Sequence, residues 1–188
     1  MPELPEVETI RQDLRQKILN KKIVDAQILN KKTIQNKEKD FLRILKNNKI
    51  KDIDRVGKLI IFELNKKNFL LIHLKMTGQL IYQKDGGVIA GGHGLEVGIL
   101  PNKHTRVIIT FEDQTKLYFN DLRLFGYMKI VDEKEKEKIK LGFGIEPLTR
   151  NFTLNNFEKI FKNRRTPVKA LLLNQKIIAG LGNIYVDE

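Results

Sequence analysis

The chain has 188 residues and no cysteine, which excludes disulfides, thiolate metal sites and cysteine nucleophiles and makes the cytosol the expected compartment. Thirty-five Lys and Arg against 23 Asp and Glu give a net charge of +12, a balance that suits a nucleic-acid partner, a membrane surface or simply a lysine-rich proteome. No apolar run approaches the roughly 20 residues of a membrane span, and the opening "MPELPEVET" lacks the basic start and apolar run of a secretory signal.

In chain order, residues 5–19 predict a helix: Val7, Ile10, Leu14 and Ile18 fall on one stripe, and Pro5 suits a first turn. "KKIVDAQIL" reads as a strand, and a shorter helix is expected near residues 41–46. "IKDIDRVGKLIIFEL", "NFLLIHLKMTGQLIY", "TRVIITFED" and "TKLYFNDLRLFGYMKIV" are β-branched and aromatic, with partial period-two alternation and short polar turns. Between them "DGGVIAGGHG", residues 85–94, lacks the lysine and hydroxyl residue of a P-loop, so a mobile loop is expected rather than a phosphate cradle. The alternating-sign run "DEKEKEKIK" from Asp132 to Lys140 reads as a solvated helix or a linker. Beyond it the pattern turns helical. Thr153 can cap a helix through Phe161, Pro167 can start another through Asn174, and "AGLG" breaks the chain before "NIYVDE".

The expected fold class is therefore α+β. An antiparallel, sandwich-like domain over residues 1–131 is followed by a charged joint over 132–148 and a small helical unit over 149–188. The net charge of these three regions is +9, −1 and +4, so the basic excess flanks a nearly neutral joint.

The amino terminus has two readings. Prolines and glutamates at a helix start are ordinary capping residues. Alternatively, Met1 before a small residue is readily trimmed, and trimming exposes a secondary amine at Pro2. A terminal amine has a reference pKa near 8, about two units below lysine, so more of it is unprotonated at neutral pH. Condensed with a sugar C1′ aldehyde equivalent, a secondary amine gives an iminium that cannot lose its charge at nitrogen. That electron sink acidifies the C2′ proton and permits loss of the 3′ phosphate. Glu3 is adjacent, and Glu6 stands one helical turn further on, where the helix dipole favours negative charge.

"MPELPEVET" resembles the amino terminus of the formamidopyrimidine-DNA glycosylase and endonuclease VIII family. "RVGKLIIFEL", "LLIHLKMTGQL", "NKHTRV", "NDLRLFG", "GIEPL" and "AGLGNIYVDE" resemble further family motifs in the family's order along nearly the whole chain. The resemblance implies a two-layer β-sandwich followed by a helix–two-turn–helix unit, with lesion-bearing double-stranded DNA in the cleft between them. By position it implies Pro2 as Schiff-base nucleophile, Glu3 as the acid/base group for sugar-ring opening and Glu6 as a supporting carboxylate. Lys58, otherwise readable as a solvated strand lysine, would bind phosphate beside the damaged nucleotide.

A glycosylase must take its target base out of the stack and fill the hole. In the family a methionine, an arginine and a phenylalanine do this, corresponding to Met76, Arg123 and Phe125. Alone, Met76 and Phe125 would read as core residues. Asn183 would contact phosphate, helped by amides at the following helix start, and Lys103 and His104 would add backbone contacts. The wedge trio points to the formamidopyrimidine branch, hence oxidised purines such as 8-oxoguanine and formamidopyrimidines, removed with β,δ-elimination at the abasic site.

Two departures stand out. "DLRLFG" carries Leu122 and Leu124 where the family usually has proline and a basic residue. The chain also stops at Glu188, ahead of the family's carboxy-terminal zinc finger, so a truncated member is expected, without metal or cofactor. The expectation is a nucleoid-associated, monomeric base-excision glycosylase and abasic-site lyase with no membrane association. The alternatives are a protein that binds damaged or abasic DNA with little turnover, and an inactive fragment.

Overall fold

The computed structural model describes residues 1–84, 87–91 and 98–188, and of 87–91 only the backbone course. Helix α1 (Leu4–Ile18) leads into β1 (Ile23–Ile28), α2 (Glu38–Leu45), β2 (Ile50–Val56), β3 (Leu59–Leu64), β4 (Asn68–His73), β5 (Gly78–Lys84) and β6 (Gly87–Gly91). There follow β7 (Thr105–Phe111), β8 (Lys116–Asp121), β9 (Tyr127–Asp132), α3 (Glu133–Lys140), α4 (Leu154–Phe161), α5 (Val168–Leu173) and α6 (Asn183–Asp187). The strands form two antiparallel sheets, ordered β1-β7-β8-β5-β6 and β2-β3-β4-β9.

The principal core lies between these sheets. Ile53, Phe62, Leu70 and Ile72 from one sheet meet Ile23, Leu80, Val107, Ile109 and Phe119 from the other. Helix α1 joins it through Val7, Ile10, Leu14 and Ile18, the stripe that 3.6-residue periodicity puts on one face. Helix α2 begins at Glu38, three residues ahead of the expected start, because Glu38 and Asp40 suit a first turn while Phe41 and Leu45 supply its buried side.

Two features of the sequence pattern find their physical reason here, and one expectation, the glycine-rich loop, is corrected. Strands β3 and β4 alternate only partially because both their faces are covered. Leu59, Ile61, Phe69 and Leu71 form a second cluster on the outer face, closed by Ile139 and Phe143. The charged run is therefore helix α3, with Asp132 capping the Glu135 amide and Lys136 lying 4.0 Å over the Phe69 ring. Of the glycine-rich stretch expected to be a loop, residues 87–91 pair with β5 as a strand, while 85–86 and 92–94 lie outside the described residues. Among the described residues no helix is long and apolar enough to cross a membrane.

The helical unit is stitched to the sandwich by backbone. Ile145 bridges Ile178 in parallel, the Gly144 amide donates to the Gln175 carbonyl, and the Leu4 amide donates to the Gly180 carbonyl at 3.0 Å. This last bond brings the start of α1 against the turn that precedes α6.

Candidate active site

Pro2 and Glu3 are buried at the start of α1, and Glu3 retains only 1% of its accessible surface. The Glu3 amide donates to the Glu6 carboxylate at 3.0 Å, which makes Glu6 the local cap of the helix start. The Glu3 side chain reaches across to the other end of the chain. Its carboxylate accepts from the Gly182 amide at 2.5 Å and from the Ile184 amide at 2.9 Å. A carboxylate buried without such donors would be costly, and donors at a helix start are suited to an anion.

The glycines of "AGLG" make that approach possible. A Cβ on Gly180, whose φ is +103°, would lie 2.4 Å from a Leu4 methyl carbon, and one on Gly182 would lie 2.5 Å from the Glu3 carboxyl. In the sequence this stretch reads as a chain break inside a family motif, with no sign of the close approach to Glu3. Gln175 holds it from the other side, donating to the carbonyls of Leu173 and Leu181 and accepting from the Gly180 amide.

Beside the terminus opens a cleft of about 220 Å³, lined by Met1, Lys58, His73, Lys75, Leu173, Gln175, Leu181, Gly182 and Asn183. Lys58 reaches it from the turn before β3, and its Nζ donates to the Leu181 carbonyl at 2.7 Å. Burial pushes the Lys58 ammonium below its ordinary pKa, Glu3 pulls the other way and Lys75 adds to the lowering. His73 is pushed down to about 3 by burial, assisted by Lys75 and Lys58, so its ring is neutral near pH 7. Its Nδ1 accepts from the Lys75 amide at 3.0 Å, which leaves the proton of the neutral ring on Nε2. Asn183 is exposed at the rim. The amides on either side of it, Gly182 and Ile184, donate to Glu3, so this helix start holds the chain's own carboxylate.

Met76, Arg123 and Phe125 gather on two neighbouring loops. Met76 is 43% and Phe125 52% exposed, so neither belongs to the core. The Arg123 guanidinium lies 3.4 Å from the Met76 sulfur and 4.9 Å over the Phe125 ring. Lys103 and His104 stand apart from the cleft, on the segment before β7. The His104 carbonyl accepts from the Asp121 amide and the Lys103 carbonyl from Arg106.

Residues that the sequence reading missed hold these parts together. His73 and Lys75 lie inside the quoted "LLIHLKMTGQL", and their period-two spacing from Leu71 was the available signal. Arg55 Nε donates to Glu8 at 2.7 Å and its Nη1 to Glu146 at 2.8 Å, tying α1 to the segment behind α3. Glu146 also accepts from the Gly57 amide, next to Lys58. The chain has no cysteine, and among the described residues no three His, Asp or Glu stand together as a metal site.

A β-sandwich whose first helix delivers the amino terminus into a lysine-lined cleft against a helical unit defines the class of protein. The formamidopyrimidine-DNA glycosylase N-terminal domain matches residues 1–128, and the formamidopyrimidine-DNA glycosylase H2TH domain matches residues 143–188. The chain belongs to the formamidopyrimidine-DNA glycosylase family. It is 40% identical along its whole length to the formamidopyrimidine-DNA glycosylases of Ligilactobacillus salivarius and Protochlamydia amoebophila, and spans 64% of each. It superposes on Lactococcus lactis Fpg in complex with an abasic-site-containing DNA with a TM-score of 0.83 and 29% identity, covering 99% of this chain and 65% of that one. A mutant of the same Lactococcus enzyme with a Fapy-dG-containing DNA gives a TM-score of 0.84 at 30% identity, over 100% of this chain and 65% of that one.

Proposed function

We propose that the protein is a base-excision DNA repair enzyme, a bifunctional glycosylase and abasic-site lyase for oxidised purines in double-stranded DNA. The observation that carries this reading is the bonding of Glu3 to Gly182 and Ile184, which seats the amino terminus beside Lys58 in the cleft. Once Met1 is removed, the Pro2 nitrogen attacks C1′ of the damaged nucleotide, the glycosidic bond breaks and the base departs. Glu3 transfers the proton that opens the sugar ring. The resulting iminium acidifies C2′, and loss of that proton expels the 3′ phosphate, after which a second elimination releases the 5′ phosphate.

Lys58 carries three donors on one charged centre; one is spent on Leu181, and phosphate takes another. Met76, Arg123 and Phe125 fill the stack behind the extruded base, while Asn183, Lys103 and His104 contact the backbone. The reading places the enzyme at the nucleoid, as a monomer.

Borohydride reduction in the presence of an abasic-site oligonucleotide tests it. A covalent adduct mapped to Pro2, and lost when Met1 is retained, is the expected result. Binding without an adduct would instead make the chain a damaged-DNA-binding protein, and the absence of both binding and adduct would overturn the repair assignment.

A further inference from the structure

We propose that the Asp121 carboxyl group, acting through the Thr77 hydroxyl, is a positioning residue that locks the Met76 loop and the Arg123–Phe125 loop into a single wedge and so governs the opening of duplex DNA. This rests on the reading of those three side chains as the wedge, and it concerns what holds them rather than what they touch.

Asp121 ends β8 and is 1% exposed. Its Oδ1 accepts from the Thr77 hydroxyl and from the Arg123 amide at 3.2 Å, and its Oδ2 accepts from the Gly126 amide at 2.7 Å. The Thr77 hydroxyl in turn accepts from the Arg123 amide at 3.0 Å. One carboxyl group therefore closes a ring of hydrogen bonds between the β4–β5 loop and the β8–β9 loop. The bonded amides of Arg123 and Gly126 bracket Leu124, which sits at φ +58°, a left-handed conformation uncommon for a residue with a Cβ. Gly126 leaves no room for a side chain, since a Cβ there would lie 2.8 Å from Phe119 and 3.1 Å from Asp121.

On the outer side the two loops touch through the Arg123–Met76 sulfur contact, a weak acceptor on exposed side chains. Bonds to a buried carboxyl group, here partly shielded from solvent, are stronger. The ring therefore sets the spacing of the tips, and the sulfur contact follows from it. Asp121 and Thr77 do not line the cleft beside Pro2, so the ring acts on base extrusion and leaves the chemistry at C1′ alone.

The test uses the full chain with Thr77→Val, which keeps the shape and removes the hydroxyl, and Thr77→Ser, which restores it. The probe is a duplex holding a tetrahydrofuran abasic analogue with 2-aminopurine beside it, bright when unstacked. Wild type should raise the fluorescence, and the protein concentration needed for half the rise should increase about ten-fold in Thr77→Val, the scale of one lost hydrogen bond to a carboxyl group. Thr77→Ser should recover it. Borohydride trapping on a single-stranded abasic oligonucleotide, where there is no stack to wedge, should be the same in all three.

The proposal is overturned if Thr77→Val matches wild type on the duplex, if duplex and single-strand readouts fall together, or if wild type leaves the probe dark. Should wild type brighten the probe and Thr77→Val fail to, with no trapping in any variant, the ring stands and the Pro2 chemistry fails.

Discussion

Glu3 and Gly182 meet across 179 residues of sequence, the amide of one donating to the carboxylate of the other at 2.5 Å. The helical unit thus fixes the group nearest the proposed nucleophile. Gly182→Ala would put a methyl group 2.5 Å from the carboxyl carbon, where the nearest atoms are both buried and bonded. Overpacking of this kind costs about 1–3 kcal/mol. A fall in melting temperature of about 2–4 °C for each kcal/mol is expected by calorimetry. Loss of borohydride trapping well beyond that of an equally destabilised core variant such as Ile109→Val would show that the Glu3 seat, rather than stability, is what the methyl group damages.

His73 makes the stability of the protein sensitive to acid. Its folded pKa is about 3 against an ordinary 6.5, so between these values the unfolded chain holds the extra proton and folding must expel it. The stability is complete above 6.5 and declines as the pH falls towards 3, at up to about 1.4 kcal/mol per pH unit. Glu8, held at about 2 by Arg11 first and Arg55 next, adds a similar loss only below about 4.5. Melting temperatures from pH 7 to 4.5 should fall in wild type and stay flat in His73→Gln, and equal slopes would contradict a neutral, buried His73.

The sequence was most legible where one physical rule decided the outcome. The α1 stripe of Val7, Ile10, Leu14 and Ile18 is a 3.6-residue period facing a core, and Thr153 caps α4 as its side chain accepts from the Asn156 amide. Strands β3 and β4 were harder to assign to faces, because the covering residues Ile139 and Phe143 lie in or beside a run that reads as pure charge. In the candidate site, Pro2 and Glu3 stand out from the chemistry of a trimmed terminus and Lys58 from family motifs, but no local pattern joins them to Gly182. Nothing in the sequence singles out Asp121. Its role depends on Thr77 and Gly126 from two different loops, a relationship that periodicity cannot express.

Arg55 is the ionic tie between α1 and the segment that follows α3. Glu8 and Glu146 are both mostly buried against it, and Glu146 additionally holds the Gly57 amide at 2.5 Å. Removing the guanidinium leaves two carboxylates facing each other with little solvent. Arg55→Ala should cost about 2–4 kcal/mol, somewhat under a fully buried pair because Glu8 keeps some exposure. Arg55→Lys should recover less than half, since one ammonium cannot span two carboxylates as a planar fork does. Urea unfolding followed by circular dichroism measures both, and a cost below about 0.5 kcal/mol for Arg55→Ala would place the tie among inert surface pairs.

Leu124 offers the clearest link between a sequence departure and DNA affinity. The family usually carries a basic residue at this position, and here the side chain is 36% exposed at the tip of the loop that holds Arg123 and Phe125. A cation there would stand beside the phosphates flanking the wedge. Each phosphate neutralised steepens the slope of log affinity against log salt by about 0.9. Leu124→Arg should therefore tighten binding to an abasic-analogue duplex at low salt and steepen that slope by about one contact's worth. The melting temperature should hardly move, because the substitution keeps a Cβ at the same left-handed φ of +58° and the aliphatic stem of an arginine covers the apolar surface that the leucine covers. Titrations by fluorescence anisotropy from about 50 to 200 mM salt span a range in which one contact is measurable. An unchanged slope would put the loop tip away from the phosphate backbone and leave Arg123 as the loop's sole cationic contribution to the wedge.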